Sequence, residues 1–175
     1  TAKNFVKNLK PDDQVSVVTF GNLSKIENSL SLDKQTVLNT IEGLSLSTTT
    51  QENTNISAGL VDALSELSSG NTRSDSKKAV ILLTDGLPTL PIDASNPDFP
   101  TLSAQQAFDN IKNSKIDVYT IGLGKNVSEG FLKSISSDDR HYFLAPTKET
   151  LADIYSRIAS NLCEKRPNVI NVIYK

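Results

Sequence analysis

Apolar and polar positions along the chain fall into two alternating patterns. Four nearly continuous apolar segments read as strands: Val15–Phe20, Ala79–Thr84, Asp117–Leu123 and His141–Ala145. The first three lack the in–out alternation of a half-exposed sheet, and runs of that kind suit a parallel sheet covered on both faces. A more polar segment, Lys25–Leu32, follows the turn-forming pair Gly21-Asn22 and suits an antiparallel edge strand. Between the strands the period changes to that of a helix. Asp33–Gly43 places Val37, Leu38 and Ile41 on one face, with Asp33 as N-cap and Gly43 as stop. Ile56–Leu67, Ser103–Asn113, Ser128–Ile135 and Lys148–Leu162 repeat the helical spacing, and Thr1–Leu9 reads as the last turns of another helix. Strand and helix alternate, which predicts an α/β fold: a mostly parallel central sheet flanked by helices, with one antiparallel edge strand.

Two stretches carry no period. Ser68–Lys77 is a polar loop, and Leu87–Pro100 contains four prolines, Pro88, Pro91, Pro97 and Pro100. The second is long for a compact domain and follows a strand end directly, which marks it as a candidate for function. Beyond the last helix, Val169, Ile170, Val172, Ile173 and Tyr174 have strand propensity. The simpler expectation for this segment is an extended tail; the alternative is the start of a linker or a next domain, and entry into the sheet is the remotest of the three.

With 175 residues the chain suits one domain with a single sizeable core. Eighteen basic and twenty acidic side chains leave a formal charge of -2, with no block of like charges. Nothing in that balance points to nucleic acid or a membrane surface as partner. The longest clean apolar run, Ala79–Leu83, is too short to span a bilayer. The single cysteine, Cys163, has no partner within the chain and does not fix the redox compartment.

Open α/β sheets bind ligands at the carboxyl ends of their strands. Asp85 stands where the strand Ala79–Thr84 gives way to a loop, and Thr54 stands where a polar loop enters the helix at Ile56. A hydroxyl and a carboxylate brought to one sheet edge are hard oxygen ligands, suited to Mg²⁺ or Ca²⁺. The plainer reading is that Thr54 or Asn53 caps the helix that follows.

The segments "KKAVILLTDGLPT", "NTNISAGLVDAL", "KIDVYTIGLGKNVSEGFLKSIS" and "HYFLAPTKETLADIYSRIASNLCE" together resemble, in order and spacing, von Willebrand factor type A domains. The likeness runs from Thr1 to about Glu164, so residues 1–164 read as a partial domain and 165–175 as a tail or the start of a linker. The resemblance implies a three-layer Rossmann-like fold. It also implies a metal-ion-dependent adhesion site holding Mg²⁺ (or Ca²⁺ or Mn²⁺), often completed by an acidic side chain of a protein partner. By that likeness Thr54 is a direct metal ligand, and Asp85 acts through a bound water. The family's Asp-x-Ser-x-Ser loop and its central first strand have no counterpart in the chain, so metal binding is expected to be weak or absent. "SSDD" at Ser136–Asp139 and "SDSKK" at Ser74–Lys78 follow no buried strand and do not replace that loop. A central strand buries about four apolar side chains at about 1.5–3 kcal/mol each. The loss compares with a domain's whole stability, so an independent fold is not expected from these residues.

The leading expectation is an adhesion or protein-binding module, extracellular or at a cell surface, and not an enzyme. The rivals are an intracellular scaffold or ATPase-associated module of the same family, and an α/β phospho-acceptor or enzyme using Asp85. His141, the only histidine, has no Ser-His-Asp or Cys-His grouping and reads as structural. Gly122 and Gly124 lack a full dinucleotide fingerprint. In extracellular members of the family a cysteine placed like Cys163 often pairs with one before the first strand, so the resemblance implies a possible cross-link there.

Overall fold

The computed structural model describes residues 2–44, 53–70, 72–73, 76–124, 127–162 and 168–174. Cys163, and with it the cross-link implied by the resemblance, lies outside the described residues. Among the described residues six strands form one sheet: β1 (Gln14–Phe20), β2 (Ser24–Ser31), β3 (Lys77–Thr84), β4 (Asp117–Leu123), β5 (Tyr142–Ala145) and β6 (Asn168–Tyr174). Their order is β2-β1-β6-β3-β4-β5. All pairings are parallel except β1 with β2, the antiparallel edge.

Helices cover both faces. On one side α1 (Ala2–Asn8), α2 (Lys34–Gly43) and α6 (Lys148–Leu162) pack Phe5, Val37, Tyr155 and Ile158 over Val15, Val17, Ile81 and Ile121. On the other, α3 (Ile56–Ser68), α4 (Phe99–Asn113) and α5 (Glu129–Ser134) pack Leu60, Phe108 and Leu132 over Val18, Phe20, Val80 and Val118. Strand residues of odd and even number enter opposite layers, which is why β1 and β3 read as continuous apolar runs. The polar segment β2 is only half-buried, as its edge position requires.

The central position expected to be empty is filled. β6 lies between β1 and β3, with Val17 opposite Val172 and Ile81 opposite Val172 on the other edge. Its Val169, Ile170, Val172 and Ile173 are buried, Ile170 and Val172 in one layer and Val169 and Ile173 in the other. The segment read as a tail is thus the middle of the sheet. Two layers of helices leave an uncovered apolar slot there, and a segment with four large apolar residues gains most by entering it.

Smaller differences have local causes. Helix α4 begins at Phe99, four residues before the expected Ser103, with Pro100 in its first turn; proline tolerates that position because its missing N–H has no partner there. His141 closes a 3-10 turn at Asp139–His141 and does not begin β5. Asp33 caps α2 as expected, accepting from the N–H groups of Gln35 and Thr36.

Candidate functional site

Thr54 and Asp85 both lie at the carboxyl edge of the sheet. Residues 53–55 cross that edge in a segment pinned on two sides. Toward β1, the Asn55 N–H donates to the Gly21 carbonyl at 2.9 Å and Asn55 Nδ2 donates to the Asn22 carbonyl at 3.2 Å. Toward β3, the Thr54 N–H donates to Thr89 Oγ1 at 2.8 Å, while the Thr54 carbonyl accepts from the N–H groups of Thr89 (2.9 Å) and Leu90 (3.3 Å). The segment therefore bridges the ends of β1 and β3, the two strands that flank β6.

The cap of α3 is neither Thr54 nor Asn53. Asn55 fills the role, its Oδ1 accepting from the Ala58 N–H at 3.1 Å and from Ser57 Oγ at 2.8 Å. That assignment removes the plainer explanation of Thr54, whose side chain is not used as the cap. Thr54 is 2% exposed, held under the edge by the Thr89 clamp. Gly59, in the first turn of α3, lets the helix approach the sheet: a Cβ there would stand 3.1 Å from Ile173 and 3.3 Å from Phe20.

Asp85 follows β3 at an exposed position. The turn behind it is held by the buried Thr84, whose Oγ1 donates to the Gly86 carbonyl at 3.1 Å and accepts from the Gly86 N–H at 3.3 Å. The proline-rich loop continues from there, with Pro88 buried and Leu87 and Ile92 exposed. Its outer part is organised by Asp93, which accepts from the backbone N–H of Ser95 at 2.9 Å and its hydroxyl at 2.6 Å. Those bonds, the hydroxyl's first, hold the Asp93 carboxyl below its ordinary range. Thr89 escaped the sequence reading. The available signal was a hydroxyl residue set between Pro88 and Pro91 in the loop already singled out.

A hydroxyl and a carboxylate are the kinds of group that suit a hard cation. Among the described residues no group of three or more His, Cys, Asp or Glu side chains is placed to hold a metal.

His141 is engaged elsewhere. Its Nδ1 lies 2.7 Å from Asp138 Oδ1, and its ring lies 4.3 Å, centroid to centroid, from that of Tyr119. Burial, with Asp117 and Asp138 nearby, pushes the Tyr119 hydroxyl up to about 12. Bonds from Arg140 and then His141 hold the Asp138 carboxyl well below the carboxylate range. This cluster ties the 3-10 turn to β4.

A six-stranded sheet of this order, layered by helices and carrying a Thr loop and an Asp-Gly turn at one edge, defines the class. The model of the von Willebrand factor type A domain matches residues 1–157, and the chain belongs to that family. No curated protein matches it. Among solved structures, it is similar to proximal thread matrix protein 1 from the mussel byssus with a zinc-occupied MIDAS motif (TM-score 0.71, 23% identity). That match covers 93% of this chain and 39% of the mussel protein. It is also similar to the vWF domain of the type V pili tip protein Mfa5 from Porphyromonas gingivalis (TM-score 0.69, 16% identity, 94% and 88% covered). A third is the manganese-loaded TRAP protein of Plasmodium vivax (TM-score 0.66, 19% identity, 86% and 61% covered). The chain thus spans about two fifths of the mussel protein's length.

Proposed function

We propose that this domain is a protein-binding module of the adhesion type, working outside the cell or at its surface and without catalytic activity of its own. Its binding edge is centred on Thr54 and Asp85 and walled by the proline-rich loop. The observation that carries this reading is the two-sided clamp on residues 53–55, which holds Thr54 rigidly at the sheet edge beside the loop that follows Asp85. Rigid loops on a packed scaffold are what a recognition surface needs. The similar mussel and pilus-tip proteins, one a thread matrix protein and one a tip protein, support an extracellular setting. Among the described residues no helix is long and apolar enough to cross a membrane.

The metal contributes little in this chain. Among the described residues Thr54 and Asp85 offer two protein oxygens and leave most coordination positions to water, so the affinity for Mg²⁺ is weak and an acidic partner residue would add to an incomplete shell. A Kd of 10 mM or more would stabilise the fold by at most about 0.4 kcal/mol in 10 mM Mg²⁺, which is nearly invisible in a thermal melt.

Screening the full chain against bead-displayed acidic peptides tests the reading, with Thr54→Ala and Asp85→Ala variants alongside. Peptides retained by the native chain should be lost by both variants while their melting temperatures stay within a few degrees. Retention by both variants would place recognition elsewhere. In parallel, Mn²⁺ added to a labelled sample should broaden the amides of Thr54 and residues 85–89 only at millimolar concentration. Broadening in the micromolar range would show that the metal site is complete after all.

A further inference from the structure

Three Asn-x-Ser triplets occur in the chain: Asn22-Leu23-Ser24, Asn55-Ile56-Ser57 and Asn126-Val127-Ser128. A triplet of this kind, with any residue but proline in the middle, is the acceptor signal for N-linked oligosaccharide in secreted proteins. In a chain rich in Asn and Ser such triplets also arise by chance, so the surroundings of each decide what it can carry. Asn126 lies outside the described residues. The other two meet at the carboxyl edge, one after β1 and one before α3, and the fold treats them in opposite ways.

Asn55 uses its side chain to hold the fold. Its Oδ1 caps α3 through the Ala58 N–H at 3.1 Å and accepts from Ser57 Oγ at 2.8 Å, while its Nδ2 donates to the Asn22 carbonyl at 3.2 Å. The residue is half-buried between the buried Thr54 and Ile56. A sugar bonded to that Nδ2 would crowd the Asn22 carbonyl, and the cap and the tie would be lost together. Asn22 is different: it is exposed in the turn between β1 and β2. The bonds that shape this turn use its backbone. The Gly21 N–H donates to the Leu23 carbonyl at 2.9 Å, and the carbonyls of Gly21 and Asn22 accept from Asn55. Ser24, the third residue of the triplet, is fixed separately, its Oγ donating to Asp62 Oδ2 at 2.6 Å. A substituent on Asn22 Nδ2 disturbs none of these bonds.

We propose that Asn22 is an N-glycosylation site of this domain and that Asn55 is not. The donor class is a lipid-pyrophosphate-linked oligosaccharide. A bond forms between Asn22 Nδ2 and the anomeric carbon of the first sugar, and the bond from that carbon to the pyrophosphate oxygen breaks. The lipid pyrophosphate leaves with the electron pair, and the amide nitrogen loses one proton. Transfer takes place on the chain as it enters the secretory path, and the folded domain then accepts a glycan at Asn22 only. A glycan there stands at the β1 end of the edge, across Thr54 from the loop that follows β3, and limits the approach of partners from that side.

The proposal rests on the extracellular setting proposed above, and its test separates the two. The full chain is placed behind a cleavable secretion signal in cultured animal cells, which imposes that setting, and the folded chain is collected from the medium. Peptide N-glycosidase in heavy-oxygen water converts each glycan-bearing asparagine to a labelled aspartate, and mass spectrometry reads the peptides that hold Asn22 and Asn55. Asn22 should be labelled in most molecules and Asn55 in almost none, and Asn22→Gln or Ser24→Ala should each abolish the label at position 22. An unlabelled Asn22, or a labelled Asn55 in the folded chain, would overturn the proposal whatever the chain's natural compartment. The extracellular reading fails separately, if surface labelling of intact source cells leaves the natural chain unmarked. A second measurement needs no secretion. In the chain made without glycan, Asn22→Gln should leave the melting temperature unchanged, while Asn55→Gln should lower it by about 2–4 °C as the cap is lost. Equal shifts, or a larger one at Asn22, would remove the distinction between the two sites and equally overturn the proposal.

Discussion

The middle of the sheet and its carboxyl edge are built on different physics. In the middle, Asn168–Tyr174 supplies the central strand, pairs with β1 and β3 and buries apolar side chains in both layers. At the edge, Thr54 and Asp85 stand at a loop–helix and a strand–loop junction, and among the described residues no group of three or more His, Cys, Asp or Glu side chains is placed to hold a metal. Apolar burial is non-directional and roughly proportional to area, so any segment with the right alternation can fill the slot. Coordination of a hard cation requires particular oxygen atoms at particular distances, which an apolar pattern does not specify. Packing is replaceable in a way that chemistry is not.

The largest expected effect lies in the middle. Val172→Asp places a carboxylate where both layers and both neighbouring strands exclude water, and should cost more than about 4 kcal/mol. Circular dichroism would then show no cooperative melt; a native-like transition would mean that β6 is dispensable and the comparison fails. Next in size is the buried polar pair in the same strand, where Asn171 Nδ2 donates to Ser16 Oγ at 2.7 Å. Ser16→Ala leaves the buried Asn171 amide without its acceptor and should cost about 1–3 kcal/mol in urea unfolding, while Ser16→Ala with Asn171→Val should recover most of it. An additive double variant would show that the pair has no role in register.

At the edge the effects should be smaller. Thr89→Val removes the acceptor of the Thr54 N–H and should lower stability by about 1 kcal/mol, or about 2–4 °C in the melting temperature. Its larger consequence should be loosened exchange protection at Thr54. No change there would show that the clamp does not hold the segment.

The smallest effect belongs to Asp138, whose carboxyl Arg140 and His141 hold below the usual range. A group with a depressed folded value stabilises above its unfolded value, near pH 4, and that contribution is lost as pH falls through the folded one. Asp138→Asn should therefore cost up to about 1 kcal/mol at pH 7, including the lost cap of the 3-10 turn. The difference from the native chain should shrink steadily below pH 4. A constant difference across that range would assign the effect to the cap alone.

The layered α/β class, the antiparallel edge strand and most strand and helix spans were legible because apolar period reports which faces a segment buries. The position of β6 was not. Val169–Tyr174 has the propensity of a strand, but period says nothing about where a strand sits in a sheet, and chain order argued for a tail. Thr54 and Asp85 could be located by their places at a loop–helix and a strand–loop junction. Thr89 as the clamp could not, because it depends on a hydrogen bond between segments distant in the chain; Asn55 as the cap is a local bond to Ala58, but Asn53, Thr54 and Asn55 all carry capping side chains and propensity alone does not choose among them.

The most direct test of the account is native-state hydrogen exchange at the amides of residues 169–173 in the full chain. The account requires them to exchange among the slowest, with protection matching that of β1 and β3 and rising to the global unfolding free energy. Exchange of those amides at free-peptide rates, while Val15–Val18 and Val80–Leu83 stay protected, would contradict it by showing a sheet that stands without its sixth strand.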